Sequence, residues 1–175
     1  MDNKTIRLAS PLQEDSFVDG PGVRMVVWTQ GCIHHCKNCH NAQTWDLEGG
    51  NIYSVEDILK QISESHLQTG LTLSGGEPFL QVEPLLEIVK TAKEKGLDIW
   101  AYSGFTYEEL LADEIKSQLL SQLDVLVDGK FIEELKDYRL VFKGSKNQRI
   151  IDVQASLTSG EVVLSEKDKQ NQNLD

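Results

Sequence analysis

A chain of 175 residues, with 39% apolar and 26% charged side chains, is about one domain long and can bury a core of its own. Its 28 acidic residues outnumber 17 basic ones, leaving a formal net charge of −11; such a surface repels nucleic acid and anionic membrane, and no Lys/Arg cluster offsets it. There is no apolar run of about 18 residues to span a bilayer, and the N-terminus MDNKTIRLAS lacks the basic-then-apolar order of a signal peptide. The chain therefore reads as cytoplasmic, with no nucleic-acid or membrane partner.

Strand and helix patterns alternate along it. Residues 24–30 (RMVVWTQ) form a β-branched and aromatic run, a buried strand leading to Gly31. Little periodicity follows until about Asn51. Ser54, three residues before Asp57, opens a helix to about Ser65 with Val55, Ile58, Leu59 and Ile62 on one face. Residues 71–74 are a second strand, ended by Gly75-Gly76. Pro84 falls in the first turn of the next helix, which carries Leu85, Leu86, Ile88, Val89 and Ala92 and stops near Gly96. A third strand spans 97–102, a helical segment begins at 107–111 and resumes through Leu120, and a fourth strand spans 123–127. Then come 140–143, a turn at Gly144-Ser145, and weaker strand-like runs at 149–153 and 162–164. Strands separated by helices imply βαβ units. The fold class expected is α/β, an open partial (β/α) barrel with a mostly parallel sheet, over residues 1–164. Residues 165–175 (SEKDKQNQNLD) read as a polar, disordered tail.

Chemistry concentrates where strands end. The only cysteines, Cys32, Cys36 and Cys39, share the run GCIHHCKNCHN with spacing C-x3-C-x2-C. Three thiolates are one short of a closed tetrahedral zinc site or a fully ligated iron–sulfur cluster, so one coordination position stays open. A disulfide would strand the third cysteine. A zinc-binding module without catalysis is the rival reading, with His34, His35 or His40 as fourth ligand. Ser74-Gly75-Gly76-Glu77-Pro78 directly follows a strand. Its glycines allow close backbone approach, the turn's N–H groups can receive a carboxylate, and Glu77 suits a ligand ammonium, so the turn could grip both ends of an amino acid. A turn that merely needs glycine is the plainer alternative. Asp128 and Lys130 flank Gly129 at another strand end, Asp19-Gly20-Pro21-Gly22-Val23-Arg24 forms a rigid turn, and 144–149 is a polar turn without an assigned role.

With CIHHCKNCHN and SGGEP in this order, the chain resembles the radical S-adenosylmethionine enzymes, and CHNAQTWD with DGPGVR is similar to the glycyl-radical-enzyme activases among them. LVDGKF and FKGSKNQRIID point within these to activators of anaerobic ribonucleoside-triphosphate reductase. The resemblance implies a radical SAM-type barrel and a 4Fe–4S cluster on Cys32, Cys36 and Cys39, with S-adenosylmethionine chelating the fourth iron. It implies cofactor contacts at Asn38, Cys39, His40, Ser74, Gly75, Gly76, Glu77, Asp128 and Lys130. Many members have an aromatic residue where this chain has Asn38, which leaves a backbone contact to the adenine there. Reductive cleavage would yield methionine and a 5′-deoxyadenosyl radical, and that radical would take the α-hydrogen of one glycine of the reductase. A low-potential electron donor is the further partner implied. Activation of another glycyl-radical enzyme, such as a formate-lyase, is the neighbouring possibility; larger activases often add ferredoxin-like cysteines, which this chain lacks.

Overall fold

The structure, a computed structural model, describes residues 4–174; residues 1–3, part of the N-terminal stretch read above, and residue 175 of the tail lie outside it. Four short strands open the chain: β1 (Thr5–Leu8), β2 (Gln13–Ser16), β3 (Arg24–Thr29) and β4 (Asn51–Ser54). Ser54 caps α1 (Val55–Glu64), its Oγ accepting from the Asp57 N–H. Then follow β5 (Gly70–Gly75), α2 (Val82–Glu94), β6 (Asp98–Tyr102), α3 (Tyr107–Ala112), α4 (Lys116–Leu120) and β7 (Val125–Asp128). The chain ends with β8 (Arg149–Asp152), α5 (Val153–Ser159), β9 (Val163–Leu164) and α6 (Glu166–Lys169).

All strands join one sheet in the order β4-β1-β3-β5-β6-β7-β8-β9, with β2 beside β1 on the outer edge of β3. Only β3, β5, β6 and β7 run parallel, and the remaining pairings are antiparallel. This corrects the expectation of a mostly parallel sheet. A parallel return needs a crossover long enough to carry the chain back along the sheet. Residues 129–148 instead stay at the carboxyl end of β7 with a single 3-10 turn at Glu133–Leu135, so β8 starts there and runs back. The sheet path ends at β4 and β9 and does not close.

The central strands β3 and β5 are buried on both faces, β3 with apolar residues on each and β5 with Leu71 and Leu73 on one and Thr72 and Ser74 on the other. One face receives α1, α2 and α4 through Ile58, Ile62, Leu85, Ile88, Val89 and Leu119, all fully buried. Each such side chain contributes about 1.5–3 kcal/mol by leaving water. Strand alternation puts Trp100 and Tyr102 on the opposite face, with Val127, Ile150 and Phe142. Arg24 is buried there too, its guanidinium 5.5 Å from the Trp100 ring centre. It donates to Thr72 Oγ1, to the Pro21 and Leu71 carbonyls, and to Asp98. That is the purpose of the DGPGVR turn: Gly20 leaves room for this side chain, and an added Cβ would lie 2.8 Å from it.

Within the tail, residues 166–173 form two consecutive helical turns. Ser165 caps α6, a 3-10 turn follows at Gln170–Asn173, and Asp168 and Asn171 are buried because both are hydrogen-bonded to residues before β8. Residues 140–143 form no strand; they are held by this segment instead. Among the described residues no helix is long and apolar enough to cross a membrane.

Candidate functional site

The carboxyl ends of β3, β5, β6 and β7 open into one cavity of about 400 Å³ on the Trp100 face of the sheet. Ligands gather at such strand ends in parallel sheets because the connecting loops converge there. β3 delivers the chain to a long excursion closed at its neck. There the Gly31 N–H donates to the Thr44 carbonyl at 2.7 Å, and the Cys32 N–H to that of Trp45 at 3.2 Å. Gln30 Nε2 binds the Asp46 carbonyl at 2.8 Å, and Arg7 Nη1 the carbonyls of Glu48 and Gly49 at 2.9 and 2.8 Å.

Within the excursion His35 and Asn38 take left-handed backbone angles (φ 49° and 54°), a region that Asn and His enter more readily than most residues. These two reversals, one in each gap of the C-x3-C-x2-C run, curl the chain so that Cys32, Cys36 and Cys39 all face the cavity. All three are free and half-buried. Burial pushes the Cys32 thiol up, opposed by the His34 backbone N–H, with the negative Glu77 adding to the rise. Burial likewise raises Cys36, against a backbone contact from Phe131. The Asn41 N–H reaches Cys39 Sγ at 3.4 Å.

The other expected residues divide into two groups. His40, Ser74, Gly75 and Gly76 line the cavity, as does Gly129. Glu77 does not. Its carboxylate is buried and saturated: Oε1 accepts from the Phe79 N–H and Ser103 Oγ, while Oε2 accepts from Ser103 Oγ, the Gly104 N–H and His34 Nε2 at 2.7 Å. It ties the cysteine excursion to the ends of β5 and β6 and is not presented to a ligand ammonium. The turn's N–H groups are committed as well, Gly76 to the Thr29 carbonyl and Glu77 to that of Gly31, both at 2.8 Å. Gly76 needs its small size for this contact, since an added Cβ would stand 2.3 Å from the Gly31 oxygen. Asn38 and Asp128 do not form part of the cavity wall either. Asn38 Nδ2 donates to Glu133, and Asp128 is buried against Arg149 and the Tyr107 N–H. Lys130 is exposed; its carbonyl accepts from Asn147, and its charge opposes the rise of the Cys36 thiol.

Sequence reasoning missed the wall contributed by Tyr102, Ser103 and Gly104, and the far wall of Phe142, Lys143, Gly144 and Gln148. A glycine turn directly after a buried strand was the available signal for the first. Gly104 is required by His34, whose ring would lie 2.3 Å from an added Cβ.

The donor set suits an iron–sulfur group. Among the described residues no three His, Cys, Asp or Glu side chains converge as a single ion requires. Three thiols spaced around a cavity call for a group that spans them. The histidines of the zinc reading are otherwise engaged: His34 with Glu77, His35 stacked on Trp45 with ring centres 4.6 Å apart, and His40 against Phe131. Trp45, also in the cavity wall, carries a buried indole N–H with no partner, a donor that a bound acceptor would satisfy.

A family model described as "4Fe-4S single cluster domain" matches residues 18–151. The chain is 40% identical to the anaerobic ribonucleoside-triphosphate reductase-activating protein of Vibrio cholerae, over 76% of this chain and 90% of that protein. Identity to the activating protein of that name in Escherichia coli K12 is 36%, over 75% of this chain and 90% of that one. The counterpart in Enterobacteria phage T4 is 34% identical, over 77% of this chain and 86% of that one. Among solved structures, QueE from Escherichia coli superposes with a TM-score of 0.46 at 16% identity, covering 71% of each chain. With three thiols around one cavity and relatives of this identity along most of its length, the chain belongs to the 4Fe-4S single cluster domain family, among the anaerobic ribonucleoside-triphosphate reductase-activating proteins.

Proposed function

We propose that this chain is a radical S-adenosylmethionine enzyme that activates anaerobic ribonucleoside-triphosphate reductase by installing a glycyl radical on it. The carrying observation is the convergence of Cys32, Cys36 and Cys39 with the Ser74-Gly75-Gly76 turn on one cavity. The names of the relatives favour the reductase over a formate-lyase as partner. In this reading Cys32, Cys36 and Cys39 would hold a 4Fe–4S cluster with one coordination position left for S-adenosylmethionine. The bound pair supplies one-electron cleavage of a carbon–sulfur bond and removal of a hydrogen atom from a glycine. A low-potential donor provides the electron.

The chain's own residues bind, orient and exclude. The neck at Gly31 and Thr44 fixes where the thiols stand. Gly75 and Gly76 let the ligand's methionine end lie against backbone, and His40 and Ser74 complete that side. Glu77 acts from behind the wall, through His34 and Gly104. Asp128 and Lys130 bear on the site through the Gly129 turn between them, and Asn38 through the curl it gives the cysteine loop. The parallel strands β3, β5, β6 and β7 are the part from which an open partial (β/α) barrel of the radical SAM type is built, within a domain spanning residues 1–164. A cytoplasmic location belongs to the same proposal.

The test is to mix anaerobically reconstituted, reduced protein and S-adenosylmethionine with the reductase and record the electron paramagnetic resonance spectrum. A glycyl radical is expected, and Cys36→Ala should give none, because two thiolates cannot hold the cluster. A radical formed by Cys36→Ala would refute the ligand assignment; a colourless, zinc-loaded protein that leaves S-adenosylmethionine intact would refute the enzyme.

A further inference from the structure

The polar turn at 144–149 and the C-terminal segment were the two stretches of sequence without a role, and they meet. Phe142, Lys143, Gly144 and Gln148 form the far wall of the main cavity. Behind Lys143 and Gln148 lies a second cavity of about 270 Å³, bounded on its other side by Asp168, Asn171, Gln172 and Leu174. The partition packs on the Trp100, Val127 and Ile150 cluster through Phe142, while Lys143 and Gln148 stand between the two cavities and are held by hydrogen bonds.

The tail supplies the hydrogen bonds on Val141 and one of those on Lys143. Asp168 Oδ1 accepts from Lys143 Nζ at 2.8 Å and from the Ile150 N–H at 3.1 Å. Asn171 grips both backbone groups of Val141, its Oδ1 accepting from the N–H at 2.7 Å and its Nδ2 donating to the carbonyl at 3.0 Å. Between these two grips Phe142 holds a left-handed φ of 63°, which a bulky residue keeps only when its surroundings impose it. From the inner side Gln148 Oε1 accepts from the N–H groups of Gly144 and Ser145, and its Nε2 donates to the Gly129 carbonyl. The wall is thus suspended between the end of β7 and the tail. The Lys143–Asp168 pair is almost entirely buried, with 7% and 6% of the side chains exposed. Such a pair sets geometry more than it adds stability.

We infer that residues 165–173 clamp the far wall of the ligand cavity, with Asp168 and Asn171 acting as positioning residues for S-adenosylmethionine. This rests on the function proposed above. Neither residue touches the cavity; each acts through Lys143, Val141 and the strained Phe142.

The test uses full-length, cluster-loaded protein and its Asp168→Asn and Asn171→Ala variants. Iron content and visible absorbance should match the wild type, while the dissociation constant for S-adenosylmethionine, by equilibrium dialysis, rises about tenfold. In methionine-release assays KM should rise with kcat unchanged, and Asn171→Asp, which keeps an acceptor for the Val141 N–H, should recover part of the affinity. Exposed Gln170→Ala should behave as wild type. Both variants binding as tightly as a binding-competent wild type would overturn the clamp; a wild type that does not bind S-adenosylmethionine at all overturns the functional reading and the clamp together. Should the variants not fold, hydrogen exchange on the wild type decides. Added S-adenosylmethionine should slow exchange in 141–150 and 165–173 together, and a response confined to the cysteine loop would refute the inference.

Discussion

His34 Nε2 stands 2.7 Å from Glu77 Oε2, with 6% and 0% of the two side chains exposed, so the middle of the first cysteine gap is bonded to the last residue of the Gly-Gly-Glu turn. The edge of the His34 ring also packs on Phe105, with ring centres 4.6 Å apart. His34→Ala would leave a buried carboxylate short of one donor, a loss of about 1–3 kcal/mol. The cysteine loop would lose its tie to β5 and β6. Iron release to a chelator should speed up about tenfold, as expected when a bond supporting metal ligands is removed. His34→Gln, which retains a donor, should recover part of the retention. Equal release from His34→Ala and wild type would show that the tie is idle.

A methyl group at Gly76 meets backbone on two sides, 2.3 Å from the Gly31 oxygen and 3.0 Å from the Thr44 oxygen. Neither can swing away as a side chain would. Gly76→Ala should therefore open the neck of the cysteine loop, costing about 2 kcal/mol of stability and weakening iron binding along with ligand binding. Iron quantification after reconstitution checks this; a full iron load with only ligand affinity reduced would mean that the turn has room.

Read from the sequence, that glycine admits a ligand; in the fold it first admits Gly31. The difference shows what a sequence carries. The parallel strands β3, β6 and β7 were legible as apolar runs, β5 as Leu71 and Leu73 ended by a glycine pair, and α1 and α2 because their apolar residues repeat at helical spacing. The strand QEDS was not, since an edge strand can form with polar residues alone. The thiol spacing pointed to the cavity directly. What surrounds it did not, because Glu77 meets Ser103 across 26 residues and Lys143 meets Asp168 across 25, and polar partners so far apart leave no periodic trace. A buried aspartate in a tail of Lys, Gln and Asn looks like solvated chain until its partner is known.

Arg24 uses its full guanidinium, with Nε on Thr72, Nη1 on Pro21 and Asp98, and Nη2 on the carbonyls of Leu71 and Asp98. A lysine ammonium has three donors and no planar fork. Arg24→Lys should lower stability by about 1–3 kcal/mol, the scale of buried acceptors left without a donor. The urea midpoint measures it, and an unchanged midpoint would mean that the hub is redundant.

Arg149 joins buried Asp128 to exposed Glu108 and, through their hydrogen bond, holds the Glu108 carboxyl below its ordinary range. A carboxyl depressed in the folded state adds stability above its unfolded value of about 4.3 and loses that contribution as pH falls through the lower folded value. Glu108→Gln should be slightly less stable at pH 7, by under about 1 kcal/mol because the pair is exposed to solvent. The gap to wild type should close in acid, as urea unfolding at a series of pH values would show. A gap that persists at low pH would assign the loss to shape and not to charge.

The neck that joins Gly31 to Thr44 and Cys32 to Trp45 makes the cysteine loop a socket and not a folding nucleus. In zinc fingers the metal gathers the chain, and chelation unravels it. Here backbone hydrogen bonds close the ring that presents the thiols, and Arg7 and Gln30 brace it from outside. Stripping the iron should leave the far-UV circular dichroism unchanged. A protein damaged by oxygen could then be refitted with a new cluster in place, without passing through an unfolded chain.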